Sequence, residues 1–166
     1  MNLQNYKQSL DSIDQKSLEE LKEIINKHDH IIILGNGGSN AISCHIAQDY
    51  TKMLGKQALC FGDSSRLSCY ANDYGWENAY KKFIEHFAND NTLVILISSS
   101  GNSENILNCA DWCVGNSLDM ITMSGFDQNN KLRTRFEDRS LLHFYIPSHD
   151  YGIVECLHEL ILHSVL

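Results

Sequence analysis

The chain has 166 residues, with 13 Lys and Arg against 21 Asp and Glu, a formal charge of −8 with histidine neutral. That length suits a single domain, residues 1–166, with a core of its own, and 43% hydrophobic residues exclude disorder. The acidic balance speaks against binding of nucleic acid or of an anionic membrane, and it repels phosphorylated ligands at long range, so any phosphate site must be built locally.

In chain order, Leu18, Leu21, Ile24 and Ile25 predict a helix over 5–27. Ile31–Leu34 is a first strand, ended by Gly35-Asn36-Gly37-Gly38-Ser39, with a helix over about 40–53 behind it. Ala58–Phe61 is a second strand, and residues 76–88 form a helix with Tyr80, Phe83 and Phe87 on one face. Leu93–Ile97 is a third strand, ended by Ser98-Ser99-Ser100-Gly101-Asn102-Ser103 and followed by a helix to about Cys113. Met120–Met123 and Leu141–Ile146 are two more strands, Pro147 ends the sheet, and a helix over 152–165 closes the chain. Strands apolar on both faces, alternating with helices, predict a parallel sheet covered on both sides, an α/β three-layer sandwich. No stretch approaches the roughly 18 apolar residues of a membrane helix, and Met1–Ser9 lacks an apolar signal core, so a cytoplasmic protein is expected. The six cysteines, 44, 60, 69, 109, 113 and 156, contain no C-x-x-C pair and are read as reduced, buried thiols. His28 and His30 are read as solvated, Trp76 and Trp112 as core.

Ligands of parallel sheets bind at the carboxyl ends of strands, where both Gly/Ser loops fall. The first lacks the lysine of a phosphate-binding P-loop, and Asn40 breaks G-x-G-x-x-G. The second brings four hydroxyls to a helix N-terminus, where N–H groups and the helix dipole favour an anion without cationic side chains. The competing reading is that Ser103 merely caps its helix. Farther along, His45 and Asp49 stand one helical turn apart, a solvent-facing pair or half of a metal site. In the last helix Glu155 and His158 form an E-x-x-H pair, the spacing of carboxylate-bridged metal sites. Asn72-Asp73, read alone, is a turn or a helix cap.

G-N-G-G-S with His45, then S-x-S-G-N-S, then a last helix with histidine, resembles the sugar isomerase (SIS) domain, and within it the phosphoheptose (sedoheptulose 7-phosphate) isomerases. The resemblance implies a five-stranded, Rossmann-like parallel sheet and a homotetramer with its N-terminal helix in the interface, active sites at subunit contacts, and one zinc ion per site. It implies a phosphate held by Ser98, Ser99, Ser100 and Ser103. Asn36, Gly37, Gly38, Ser39, Asn72, Asp73 and Glu155 would line the substrate. His45, Asp49, Glu155 and His163 would hold the metal, with Asp49 as base and His163 as acid. Asp49 stands where the family has Glu, and Glu155 where it has Gln. Spacing alone favours His158 as the metal-facing histidine, whereas the resemblance favours His163. A rise of about 1.5 Å per residue sets Glu155 and His163 roughly 12 Å apart along the axis, so one ion reaches both only across a bent first turn or a shared subunit site. His149, Asp150 and Tyr151 are further candidate substrate contacts. The implied reaction converts sedoheptulose 7-phosphate into D-glycero-D-manno-heptose 7-phosphate through an enediolate, for lipopolysaccharide or capsule. The alternatives are a non-catalytic tetrameric SIS binding protein and an isomerase of another phosphosugar.

Overall fold

The computed structural model describes residues 2–166. Five strands, β1 (His30–Gly35), β2 (Gln57–Cys60), β3 (Thr92–Ser98), β4 (Met120–Gly125) and β5 (Leu142–Ile146), form one sheet in the order β2-β1-β3-β4-β5, with every pairing parallel. The helices are α1 (Leu3–Leu10), α2 (Gln15–Lys27), α3 (Gly38–Leu54), α4 (Ser64–Tyr74), α5 (Trp76–Phe87), α6 (Glu104–Gly115), α7 (Lys131–Phe136) and α8 (Tyr151–His163). The expected α/β sandwich with a five-stranded parallel sheet is therefore the observed architecture. No helix among the described residues is long and apolar enough to cross a membrane.

The two-residue period of a strand explains the layers. On β3, Leu93, Ile95 and Ile97 pack on one side with Leu21, Ile25, Ile46, Tyr50, Leu157 and Ile161 of α2, α3 and α8. Val94 and Leu96 point to the other side, against Phe83, Ile106, Cys109 and Cys113 of α5 and α6. Every residue of β3 is buried, which is why its sequence is an unbroken apolar run rather than an alternating one. Gly35 pairs with Ile97, so the loops after β1 and β3 leave the sheet side by side. The helices that follow them, α3 and α6, then diverge to opposite faces. That divergence opens a crevice at the carboxyl edge, where such sheets place their ligands.

Several elements differ from expectation. The helix over 5–27 is two helices: Asp14 caps α2 by accepting from Ser17 N at 3.0 Å, and the Ser12 hydroxyl donates to Ser9 O at 2.6 Å. Such local side-chain bonds compete with a continuous helix. Helix α4, which buries no residue fully, and the six-residue α7, which buries only Leu132 and Phe136, are additional to the predicted elements. Only Cys109 and Cys113 are buried; Cys44 and Cys60 are intermediate, Cys69 and Cys156 exposed, and all are free thiols. His28 is buried rather than solvated, bridging Ile24 O at 2.8 Å and Asp119 at 3.1 Å. Trp76 is 49% exposed rather than core.

Candidate active site

A cavity of about 260 Å³ occupies the crevice, lined by Asn36–Ser39, Ile97, Ser98–Ser100, Ser103, Tyr151 and Glu155. Both Gly/Ser loops thus meet, as expected, and no Lys or Arg lines the space. Ser103 stands at the N-cap position of α6 but makes no side-chain capping bond; its hydroxyl instead accepts from Ser98 Oγ at 3.2 Å. The helix-capping reading of Ser103 therefore fails. Ser99 is buried, and its hydroxyl has no partner. An unpartnered buried hydroxyl costs free energy, and beside a helix N-terminus an anion would satisfy it. The loop turns at Gly101, with φ +62° and the Asn130 side chain packed where a Cβ would stand. Asn36 is held by a reciprocal amide pair with Asn105, 2.9 Å in each direction. Asn105 carries no motif, and its burial in the first turn of α6 is set by the fold rather than written in the sequence.

Glu155 reaches this cavity from α8. Its carboxylate sits where a Cβ on Gly38 would stand, so a side chain at position 38 would push the Glu155 carboxylate out of this place. Burial raises the Glu155 pKa. A second cavity, of about 440 Å³, continues along the α3–α8 seam from Gly38 and Glu155 to His45 and Glu159.

The seam leads to a cluster on the facing sides of α3 and α8. Asp49 Oδ2 lies 3.3 Å from His45 Nε2 and 3.3 Å from His163 Nε2, and the two imidazoles meet edge to face with centroids 5.1 Å apart. The Tyr50 hydroxyl, buried between the same helices, donates to Leu162 O at 2.8 Å and fixes their separation. His45 Nδ1 bonds Glu159 Oε1 at 2.7 Å, the first cause of a raised His45 pKa, with the Asp49 charge adding to it. His45, Asp49 and His163 each offer one donor atom, all within 4.8 Å of one another. Ligands about 2.1 Å from a tetrahedral zinc lie roughly 3.4 Å apart, which the two 3.3 Å spacings from Asp49 Oδ2 to the imidazole nitrogens match.

The structure brings together three of the four expected metal ligands; Glu155 stands outside the group, over Gly38. His158 is fully buried and faces β4, where its Nε2 donates to Ser124 O at 3.1 Å; burial pushes its pKa down to about 4. The E-x-x-H pair therefore points in two directions, and His163 is the histidine that meets Asp49. Asn72 and Asp73 lie exposed in the last turn of α4, bonded to each other at 2.9 Å, and do not reach the cavity within one chain. Of the three candidates at the start of α8, Tyr151 lines the cavity, His149 stacks on Phe126, and Asp150 caps the helix through Gly152 N at 2.8 Å. Glu159 was not anticipated, although its place four residues after Glu155 and four before His163 puts all three on one stripe.

No protein-family model matches the chain. The phosphoheptose isomerase of Fusobacterium nucleatum is 30% identical over 157 residues, which cover 92% of this chain and 78% of that protein. That of Helicobacter pylori strain P12 is 30% identical over 166 aligned positions, covering 90% and 84%. Among solved structures, a phosphoheptose isomerase from Neisseria gonorrhoeae superposes with a TM-score of 0.87 at 24% identity, over 96% of this chain and 88% of that one; at that identity the likeness speaks for the fold.

Proposed function

The chain belongs to the phosphoheptose isomerase family, and on that premise we propose that it interconverts sedoheptulose 7-phosphate and D-glycero-D-manno-heptose 7-phosphate. The observation that carries this reading is the continuity of the site. A serine-lined anion cavity and a histidine–carboxylate cluster share one seam, with Gly38 and Glu155 lining both parts.

The phosphate seats against Ser98, Ser99, Ser100 and Ser103 and the α6 N-terminus. Asn36 and Ser39 orient the sugar hydroxyls above it. The carbonyl end then extends along the seam. Asp49 removes the proton from the carbon next to the carbonyl and returns it to the neighbouring carbon. His163, hydrogen-bonded to Asp49, moves the proton between the two oxygens of the cis-enediolate. Glu155 hydrogen-bonds the sugar where the Gln of other members would. Zinc, when held by His45, Asp49 and His163, would supply a Lewis acid to the developing oxyanion, with the His163–Asp49 hydrogen bond replaced and the His163 proton left on the ring nitrogen that does not ligate. A homotetramer, with sites completed across subunits, is supported by exposed apolar side chains such as Leu3 (71%) and Met53 (60%). It is supported too by α4, which buries nothing yet carries Asn72 and Asp73. The reading places the enzyme in the cytoplasm, supplying heptose for lipopolysaccharide or capsule.

The test is an assay of purified protein with sedoheptulose 7-phosphate, following heptose 7-phosphate formation, beside arabinose 5-phosphate and a hexose 6-phosphate. Turnover of the heptulose alone is expected. Preference for a shorter sugar would replace the substrate, and turnover of none would overturn the reading.

A further inference from the structure

We propose that Glu159 is a positioning residue that holds the His45 imidazole with Nε2 facing Asp49 and His163, an inference that rests on the reading of that cluster as part of the active site. Glu159 Oε1 is 2.7 Å from Nδ1 of His45, while Nε2, across the ring, is 3.3 Å from Asp49 Oδ2. A carboxylate on Nδ1 holds the ring proton there and directs the Nε2 lone pair into the cluster. Glu159 cannot join the cluster itself, because it bonds the nitrogen that faces away from Asp49.

The need for such a brace follows from exposure. The His45 side chain is 51% exposed, against 17% for Asp49 and 34% for His163. An exposed imidazole samples several rotamers and both tautomers, and ordering it costs conformational entropy at each binding event. A preformed hydrogen bond reduces that cost. The stripe on α8 then divides the work: Glu155 serves the sugar cavity, Glu159 orients His45, and His163 meets Asp49.

The experiment compares the full-length chain with Glu159→Ala and Glu159→Gln. Histidine labelled with ¹⁵N reports the His45 tautomer in chelator-treated protein above the His45 pKa, the signal being assigned by its loss in His45→Gln. Calorimetric titration with Zn²⁺ alone reports affinity, and thermal unfolding of the apo forms controls for structure. In the unsubstituted protein the proton is expected on Nδ1. Glu159→Ala is expected to mix the tautomers and weaken Zn²⁺ about 10- to 100-fold with an unchanged apo melting temperature. Glu159→Gln, which keeps an acceptor oxygen, is expected to stay close to the parent on both readouts. An unchanged tautomer in Glu159→Ala would overturn the inference, as would a Gln variant that behaves like Ala. If the parent binds no Zn²⁺, the zinc part of the functional reading fails, and the tautomer alone decides the role of Glu159.

Discussion

One oxygen of Asp49 faces two imidazoles, and one hydroxyl, that of Ser99, is buried without a hydrogen-bond partner; the two residues make opposite demands of mutation. Asp49→Asn keeps the shape and removes the proposed base, so kcat is expected to fall by about 10²- to 10⁴-fold with little change in KM, since the proposed phosphate seat lies elsewhere. Ser99→Ala removes a buried polar atom that has no partner, which is neutral or mildly stabilising for the free protein. It also removes a donor to an anion, worth about 1.5–3 kcal/mol, so KM is expected to rise about tenfold or more. Steady-state kinetics with a melting curve separate the cases; a Ser99→Ala variant that melts lower and binds as before would make that serine structural. The sequence showed these residues to different degrees. The serines announced themselves because they are contiguous and end an apolar strand. His45 and Asp49 were visible through their spacing. Their meeting with His163 was not, because it depends on α3 packing against α8, and helical spacing within α8 pointed to His158 instead. Glu159 escaped for the same reason, its partner lying 114 positions away.

At the scale of elements, the anion loop is only as rigid as α7 makes it. Asn130 is buried; its amide donates to Ser124 Oγ at 3.1 Å and Asp127 O at 2.7 Å, and its Oδ1 accepts from Arg133 N at 3.0 Å. Leu132 N then donates to Gly101 O at 2.8 Å, and Lys131 N to Asn102 Oδ1 at 3.1 Å, which ties the loop to α7. Gly101→Ala would put a methyl group against Asn130 at a positive φ. A cost of about 1–3 kcal/mol is expected, together with weaker phosphate binding; denaturant unfolding and inorganic phosphate titration check both. An Ala variant as stable as the parent would mean that the brace is slack. This coupling was invisible in the sequence because α7 has six residues, too few for its buried pair Leu132 and Phe136 to stand out as a helical period. The central strands β1, β3 and β4, in contrast, were legible almost to the residue, since burial on both faces writes itself as a nearly continuous apolar run. Helix α4 marks the opposite limit: its apolar positions Leu67, Tyr70 and Ala71 are only half-buried and are interspersed with serines, a weak signal beside the strands.

Across the whole molecule, a charge of −8 is compatible with the proposed phosphate site because that site is made of hydroxyls and a helix end, which act over a few ångströms, whereas the net charge acts at a distance and is screened. The same molecule keeps two histidines neutral inside. His143 bonds Thr122 Oγ1 at 2.7 Å and Ser124 Oγ at 3.1 Å, and burial pushes its pKa down to about 4. His158, also pushed down to about 4 by burial, lies behind the same strand with its Nδ1 unpartnered. An unfolded histidine titrates near 6.5, so between pH 6.5 and 4 the unfolded chain binds more protons than the native one. Stability therefore rises with pH across that window and is lost as pH falls through it. The two groups together are expected to remove about 2 kcal/mol between pH 6 and pH 5, a sizeable part of a typical domain's 5–15 kcal/mol. Unfolded carboxylates, near 3.9 and 4.3, are mostly ionised across that interval, and Glu155, raised by burial, opposes the slope, which the histidines dominate. His30, whose pKa burial also lowers, acts in the same direction, while His45, raised by Glu159, opposes it. Urea unfolding at pH 7, 6 and 5 measures the slope, and His158→Gln is expected to flatten it by about half whatever its effect at pH 7. A variant that unfolds with the parent's pH slope would show that His158 accepts its proton without unfolding, and the acid sensitivity would then belong to other groups.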